Sequence, residues 1–286
     1  MKWLMLSLLG ALSVALLVRA AGPATQPAPV RYHEEVRSNP PLHMHVVTID
    51  LTDPRVSLRV VRSGDDPDGA GPWQSKLDTV RNVAAREHFV AAVNGNFFTT
   101  KDAVSLLGKK IPYYAGNWCR VTGYAMTDGV LWANEPTSAM LVVDASNTVR
   151  IGTFAKVPAD ARQVVSSGEI LVVNGKNVGK SPDTAPRTSI GVDRSGKHVT
   201  MLVVDGRREG FSAGLNGQQL GEEMIRLGCS DALILDGGGS STMVFRDADD
   251  QAPRLVNHPS DGHTLPFDLS IERPVADVVG VSVREE

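Results

Sequence analysis

Two stretches follow one plan: Phe89-Val90-Ala91-Ala92-Val93-Asn94-Gly95-Asn96-Phe97-Phe98 and Ala232-Leu233-Ile234-Leu235-Asp236-Gly237-Gly238-Gly239-Ser240-Ser241. Each opens as a short apolar run without alternation, the pattern of a strand buried on both faces. Each then presents one polar side chain, Asn94 or Asp236, followed by glycine. A helical pattern precedes both. Leu77, Val80, Val83 and Ala84 recur at the 3.6 period, predicting a helix from Gln74 to His88. Leu220, Met224 and Leu227 predict another from Gln218 to Leu227, with Gly228 as its stop.

Outward from these units, strand-like runs dominate. Leu42–Leu51 alternates, Asp53-Pro54 turns the chain, and Val56–Arg62 reads as its hairpin partner. Gly123–Thr127, Val130–Ala133, Met140–Asp144, Ile170–Val173, Thr188–Asp193, Val199–Asp205 and Met243–Arg246 follow, punctuated by Asp128-Gly129, Asn174-Gly175 and Asp205-Gly206. With strands in excess of a few helices, the expected fold is α+β: a single domain over residues 42–286, with a mixed, largely antiparallel sheet and a few flanking helices.

The N-terminus is a separate object. Lys2, the apolar run Trp3–Val18 and Arg19-Ala20-Ala21-Gly22 read as a secretory signal peptide over residues 1–20. The run is shorter than the roughly 20 residues that span a bilayer, so no stable membrane span is expected once it is removed. The expected location is secreted, periplasmic or extracellular. Residues 21–41, rich in proline, read as an extended linker. The chain carries 29 basic and 32 acidic side chains, a net charge of −3. That lacks the basic excess a nucleic-acid partner would require. Cys119 and Cys229 have no zinc-site spacing; in an oxidising compartment a bridge and two buried thiols are both open.

A carboxylate at the end of a buried strand is rigidly held while facing outward. Asp-Gly and Asn-Gly are ordinary turn pairs, but three consecutive glycines followed by two serines exceed what a turn needs. Gly237–Thr242 is not a P-loop, a dinucleotide fingerprint or a nucleophile elbow: it lacks Lys-Ser/Thr, the third fingerprint glycine, and the glycine after the serine. His43 and His45 share a strand face but have no third ligand nearby, and read as solvated. Asp247, Asp249 and Asp250 read as a charged loop in preference to a calcium site. Asp193 reads as capping a turn with Ser195-Gly196.

Phe89–Phe98, Pro186–Val192, Val203–Arg207, Leu227–Val244, Val256–Asp261 and Glu272–Val275 together, in this order, resemble the phosphodiester glycosidase family. The chain departs from the family pattern at Gly214-Leu215-Asn216-Gly217, where Gly-Leu-Thr-Leu is usual. The resemblance implies hydrolysis of a sugar-1-phosphate diester at the anomeric C–O bond, releasing sugar and a phosphomonoester, with a phosphoglycan or similar sugar-phosphate as substrate. Under that reading Asp236 and Asp205 supply nucleophile or base and stabilise an oxocarbenium-like state. Arg187 clamps phosphate with its bidentate fork. Gly237, Gly238 and Gly239 with Ser240 and Ser241 hold phosphate oxygens or sugar hydroxyls. Asn94 and Asn96 suit sugar hydroxyls. Asp261 reads equally as a site residue or the cap of a turn in Pro259-Ser260-Asp261-Gly262. Arg187 in a surface ion pair and Asp205-Gly206 as a hairpin turn are the blander readings. No cofactor is required, and the residues leave a divalent cation open. A non-catalytic carbohydrate-binding domain and a metal-dependent phosphodiesterase are the alternatives; few aromatic residues and sparse histidines weigh against each in turn.

Overall fold

In the computed structural model, which describes residues 28–106, 108–137, 139–248, 250–261 and 271–284, both apolar runs form strands. Asp231–Ile234 lies inside a seven-stranded sheet ordered Val30–Ser38, Pro41–Asp50, His198–Val204, Arg187–Val192, Asp231–Ile234, Ile170–Val173 and Lys176–Asn177. Ala91–Asn94 is the middle strand of a five-stranded sheet ordered Arg254–Leu255, Met243–Phe245, Ala91–Asn94, Asp277–Val283 and Val56–Arg62. A second five-stranded sheet contains Val130–Asn134, Tyr124–Thr127, Ala161–Ser167, Ala139–Asp144 and Val149–Thr153.

Alternation along the strands builds one central core and outer clusters, two of which take in the helices. Ala91, Val93, Val279 and Val281 meet Val47, Met201, Val203, Leu233 and the third sheet's Leu141 and Val165 in the centre. Their neighbours turn outward. Ala92, Val244 and Val278 pack with Val80, Val83 and Ala84 of helix α1 (Val80–Arg86) and with Phe89. Ala232, Ile234, Met44 and Leu202 pack with Leu220 and Met224 of helix α2 (Gly217–Arg226). The absence of alternation in the two runs thus follows from having a core on both sides. Asn216, where the chain departs from the family pattern, caps α2: its side chain accepts from Gln219 N, and the Gln219 side chain accepts from the Asn216 backbone.

The α+β expectation is overturned: strands hold 47% of the described residues and helices 8%, so the fold is predominantly β. The sheet is not mixed either, since every pairing between described strands is antiparallel. One reason is that the periodic stretch from Gln74 is only partly helix. Ser75–Lys76 pairs as a strand with Trp118 and Cys119, and α1 begins at its Thr79 cap, whose hydroxyl accepts from Asn82 N. The hairpin expected between Leu42–Leu51 and Val56–Arg62 does not form. Pro41–Asp50 lies between Val30–Ser38 and His198–Val204, while Val56–Arg62 pairs with Asp277–Val283 in another sheet. The expected linker through Pro41 instead contains the Val30–Ser38 strand from its ninth residue after Ala21 onward. Residues 1–20, read as a signal peptide, lie outside the described residues. Cys119 and Cys229 are both buried free thiols, each pushed up to about 12 by burial and so held in the unreactive form. Among the described residues no helix is long and apolar enough to cross a membrane.

Gly280 shows how tightly the outer layer sits. A Cβ there would lie 2.1 Å from the fully buried Phe89 ring. Gly280→Ala is therefore expected to destabilise the domain by about 1–3 kcal/mol through overpacking, read as a lower thermal midpoint; an unchanged midpoint would contradict this packing.

Candidate active site

The two strand ends meet. Asp236 N donates to Gly95 O at 3.0 Å, and Asn94 Nδ2 donates to Asp236 O at 2.6 Å. The next strand joins them: Gly95 N donates to Asp277 O at 3.0 Å, and Asn96 N donates to Asp277 Oδ1 at 2.8 Å. Asn94 Oδ1 accepts from Thr188 Oγ1 and Thr242 N, and Asn96 Nδ2 donates to the carbonyls of Thr122 and Tyr124. Both asparagines are buried. Their amides tie loops together in place of facing a cleft.

Past Asp236 the chain makes a 3-10 turn over Gly238–Ser240. Gly238 N donates to Pro186 O, Ser240 N to Gly237 O and Ser241 N to Gly238 O, so these amides are committed to the protein. What the glycines provide is room. A Cβ on Gly237 would stand 3.1 Å from Pro186 O, with Arg187 Nη1 at an ordinary contact of 3.9 Å; one on Gly238 would stand 3.1 Å from Arg207 Nη2, and one on Gly239 2.2 Å from Arg273 Nη2. Gly238 also has φ +61, a backbone conformation side chains disfavour. Each glycine thus faces a different guanidinium.

Arg187 is half-buried, with Nε donating to Leu215 O at 2.9 Å and Nη2 donating to Asp183 O. Burial lowers its pKa; Glu169 and Asp183 oppose that, and the nearby Arg207 charge adds to it. Arg207 is exposed and, with φ 59, turns sharply to reach the loop. Arg273 is fixed by a two-pronged pair with Asp261, both contacts at 2.7 Å, and by the Tyr113 ring 4.0 Å beneath its guanidinium. Asp261 thus serves as the anchor of Arg273. Arg273 and Asp277 were not singled out by sequence reasoning. The signal for Arg273 was its place in Glu272–Val275; for Asp277 it was a lone acid opening an apolar strand.

Asp236 is half-buried, and burial raises its carboxyl to about 6 despite a hydrogen bond from Ser240, the Arg273 charge and the Gly237 N–H. Asp277 is fully buried and reaches about 7: burial dominates, Asn96 N opposes it and the Asp236 charge adds to it. Asp277 Oδ2, Asn96 Oδ1, Ser241 Oγ, Thr242 Oγ1 and Ser260 Oγ are buried without a hydrogen-bond partner, gathered on the residues that flank the strand ends. Asp205 reaches the glycine turn only through a bridging side chain among the described residues. Its carboxylate is wholly buried, with Oδ2 facing His45 and His258 and Oδ1 accepting from Asn257 Nδ2 and His258 N. Asn257 Nδ2 also donates to Ser241 O at 3.0 Å, the one link back to the loop among these contacts. His45, expected to be solvated, is 1% exposed, because its partner arrives from the distant His198–Val204 strand end. Asp193 accepts from Ser195 Oγ, as its capping role requires. Asp247 pairs with Arg254, and Asp249 lies outside the described residues. A cavity of about 1020 Å³ is lined by Arg31, Asp50 and His198 and by none of the loop groups.

The model of the phosphodiester glycosidase family matches residues 87–282, which include Asn94, Arg187, Asp236 and Asp277. The chain belongs to that family. Over 212 residues it is 27% identical to N-acetylglucosamine-1-phosphodiester alpha-N-acetylglucosaminidase of Bos taurus, covering 68% of this chain and 38% of that protein. It is 25% identical over 244 residues to an SPbeta prophage-derived uncharacterized protein of Bacillus subtilis, covering 77% of this chain and 32% of that one. The chain therefore spans about a third of the length of these curated relatives. The fold matches the catalytic domain of zebrafish N-acetylglucosamine-1-phosphodiester alpha-N-acetylglucosaminidase with a TM-score of 0.66 at 20% identity, covering 93% of this chain and 87% of that one.

A buried carboxyl at about 7 makes the stability of this protein pH-dependent in a definite direction. An unfolded Asp titrates near about 3.9. The folded state therefore holds a proton on Asp277 that the unfolded state releases between about 4 and 7. The Asp277 contribution is full below that window and is lost as pH rises through it. Asp277→Asn is expected to flatten the fall in thermal midpoint across the window relative to the parent protein; parallel profiles would contradict a buried, titrating Asp277.

Proposed function

We propose that this chain hydrolyses a diester in which phosphate joins the anomeric carbon of a sugar to a second group, cleaving the C–O bond and releasing a phosphomonoester. The observation that supports the reading most is the ring of Arg187, Arg207 and Arg273 about Gly237–Gly239, beside the Asp236 carboxyl. Three guanidiniums around a turn too narrow for side chains suit a tetrahedral dianion. A phosphomonoester held this way is a good leaving group, so little general acid is needed. The heavier demand is on stabilising positive charge at the anomeric carbon, which the Asp236 carboxylate meets from a rigid strand end.

In this reading Asp277 does not touch substrate. It raises no second charge beside Asp236 while protonated, and its hydrogen bonds hold Gly95 and Asn96 under the catalytic carboxylate. Asn94 positions the Asp236 backbone, and Asp261 positions Arg273. Ser240 and the unpartnered Ser241 hydroxyl are the neutral groups nearest the turn for further phosphate or sugar oxygens. Asp205 acts at a distance, through Asn257. The leader-like residues 1–20 favour an exported enzyme, and the substrate class is a sugar-phosphate polymer of the envelope or surroundings.

With a sugar-phosphate-sugar diester in oxygen-18 water, the label is expected in the released sugar, with phosphorus NMR showing an unlabelled phosphomonoester; label in phosphate would overturn C–O cleavage. Asp236→Asn is expected to lower kcat by about 10²–10⁴-fold with the fold intact by circular dichroism. Arg207→Ala, removing one charged phosphate contact of about 1.5–3 kcal/mol, is expected to lower kcat/KM by about 10- to 150-fold. Because the ionised form of Asp236 is the active one, kcat/KM is expected to rise with pH through an acidic limb near about 6. A limb that persists unchanged in Asp236→Asn would remove this assignment.

A further inference from the structure

Three side chains outside the glycine turn converge, of which only Asp205 bears on the proposed hydrolysis, and that indirectly through Asn257. His45 comes from the Pro41–Asp50 strand, Asp205 from the residue following His198–Val204, and His258 from the segment after Arg254–Leu255. His45 Nε2 lies 3.1 Å from Asp205 Oδ2, His258 Nδ1 lies 3.3 Å from the same oxygen, and the three atoms fall within 4.8 Å of one another. Two imidazoles and one carboxylate directed at a common point form a recurrent set for divalent transition metals.

The surroundings favour this over an incidental hydrogen-bond network. Asp205 Oδ1 is satisfied by His258 N at 2.9 Å and Asn257 Nδ2 at 3.1 Å, which fixes the direction of Oδ2. The far nitrogen of His45 meets the Tyr32 hydroxyl at 3.0 Å, the outer contact that orients ligating imidazoles. Phe211 lies edge-on to the His258 ring with centroids 4.9 Å apart. Metal bonds of about 2.0–2.1 Å in tetrahedral geometry put neighbouring ligand atoms roughly 3.3–3.4 Å apart. Both His–Asp separations are close to that. The remaining closure, between the two imidazoles, falls to His258, whose side chain is 45% exposed while those of His45 and Asp205 are buried.

We propose that His45 Nε2, Asp205 Oδ2 and His258 Nδ1 bind one divalent first-row transition metal ion of the zinc class. The exposed side, at His258, is left for water or an oxygen ligand. Nitrogen donors disfavour calcium and magnesium. With both imidazoles neutral, binding needs no net proton release when His45 holds its proton on Nδ1, toward Tyr32 Oη, and His258 on Nε2. The inference goes beyond the proposed hydrolysis and does not depend on it, because none of the three ligands belongs to the glycine turn and binding is measured without turnover.

The full chain, stripped with EDTA and dialysed, is to be titrated with cobalt(II) and then with zinc. One equivalent of cobalt is expected to give visible ligand-field absorption that zinc abolishes by displacement. His258→Ala, an exposed position whose metal-free melting is expected to match the parent, is expected to weaken binding on the order of 100-fold or more, and Tyr32→Phe by about 10–100-fold. Asp236→Asn is expected to bind as the parent does, separating this result from any failure of the hydrolase reading. Binding weaker than about 1 mM, or equal binding by His258→Ala, would overturn the proposal.

Discussion

The backbone joint between Asp236, Gly95 and Asp277 governs the rest of the structure. One glycine accepts from the Asp236 amide through its carbonyl and donates through its amide to the Asp277 carbonyl, linking two sheets at the ends of their buried strands. Its side-chain hydrogen is also a spatial requirement: a Cβ on Gly95 would stand 2.8 Å from the Asp277 carboxyl carbon. Around that joint the two helix–strand units lie with α1 and α2 on opposite outer faces and a shared apolar centre between the sheets. The polar residue ending each strand is thereby delivered to one place.

Electrostatics at that place is unbalanced in a way that suits an anionic ligand. Arg207 sits close enough to disfavour the charge of Arg187, and Asp236 adds to the burial that keeps Asp277 protonated. Of the three guanidiniums, only that of Arg273 pairs with a carboxylate among the described residues, Asp261. A bound phosphate would relieve the repulsion between the other two guanidiniums, and the binding free energy would then be concentrated on the group that leaves. The hydroxyls of Ser241, Thr242 and Ser260 are buried there without a hydrogen-bond partner among the described residues.

Much of this was legible in the sequence, and the failures have physical causes. The apolar runs ending in Asn94-Gly95 and Asp236-Gly237 follow from local pattern and are present. The fold class was misjudged because α1 is half the length its periodicity suggests: Leu77 belongs to a neighbouring cluster with Cys119 and Val121, not to a helix face. Pairing of Val56–Arg62 with Asp277–Val283 joins segments more than 200 residues apart, which no local turn signal encodes. Asn94 and Asn96 were assigned to sugar on their chemistry alone; burial redirects the same donors and acceptors to the backbone. His45 and His258 could not be associated with Asp205 because three separate loops and strands bring them together.

The account's central claim is that Arg187, Arg207, Arg273 and Asp236 form one anion-binding centre on the glycine turn. Its most direct test is a crystal structure of the protein grown with a sugar 1-phosphate. The phosphate is predicted to rest over Gly237–Gly239 in contact with the three guanidiniums, with the anomeric carbon turned toward the Asp236 carboxylate. A phosphate bound elsewhere, with those guanidiniums directed away from it, would contradict the account.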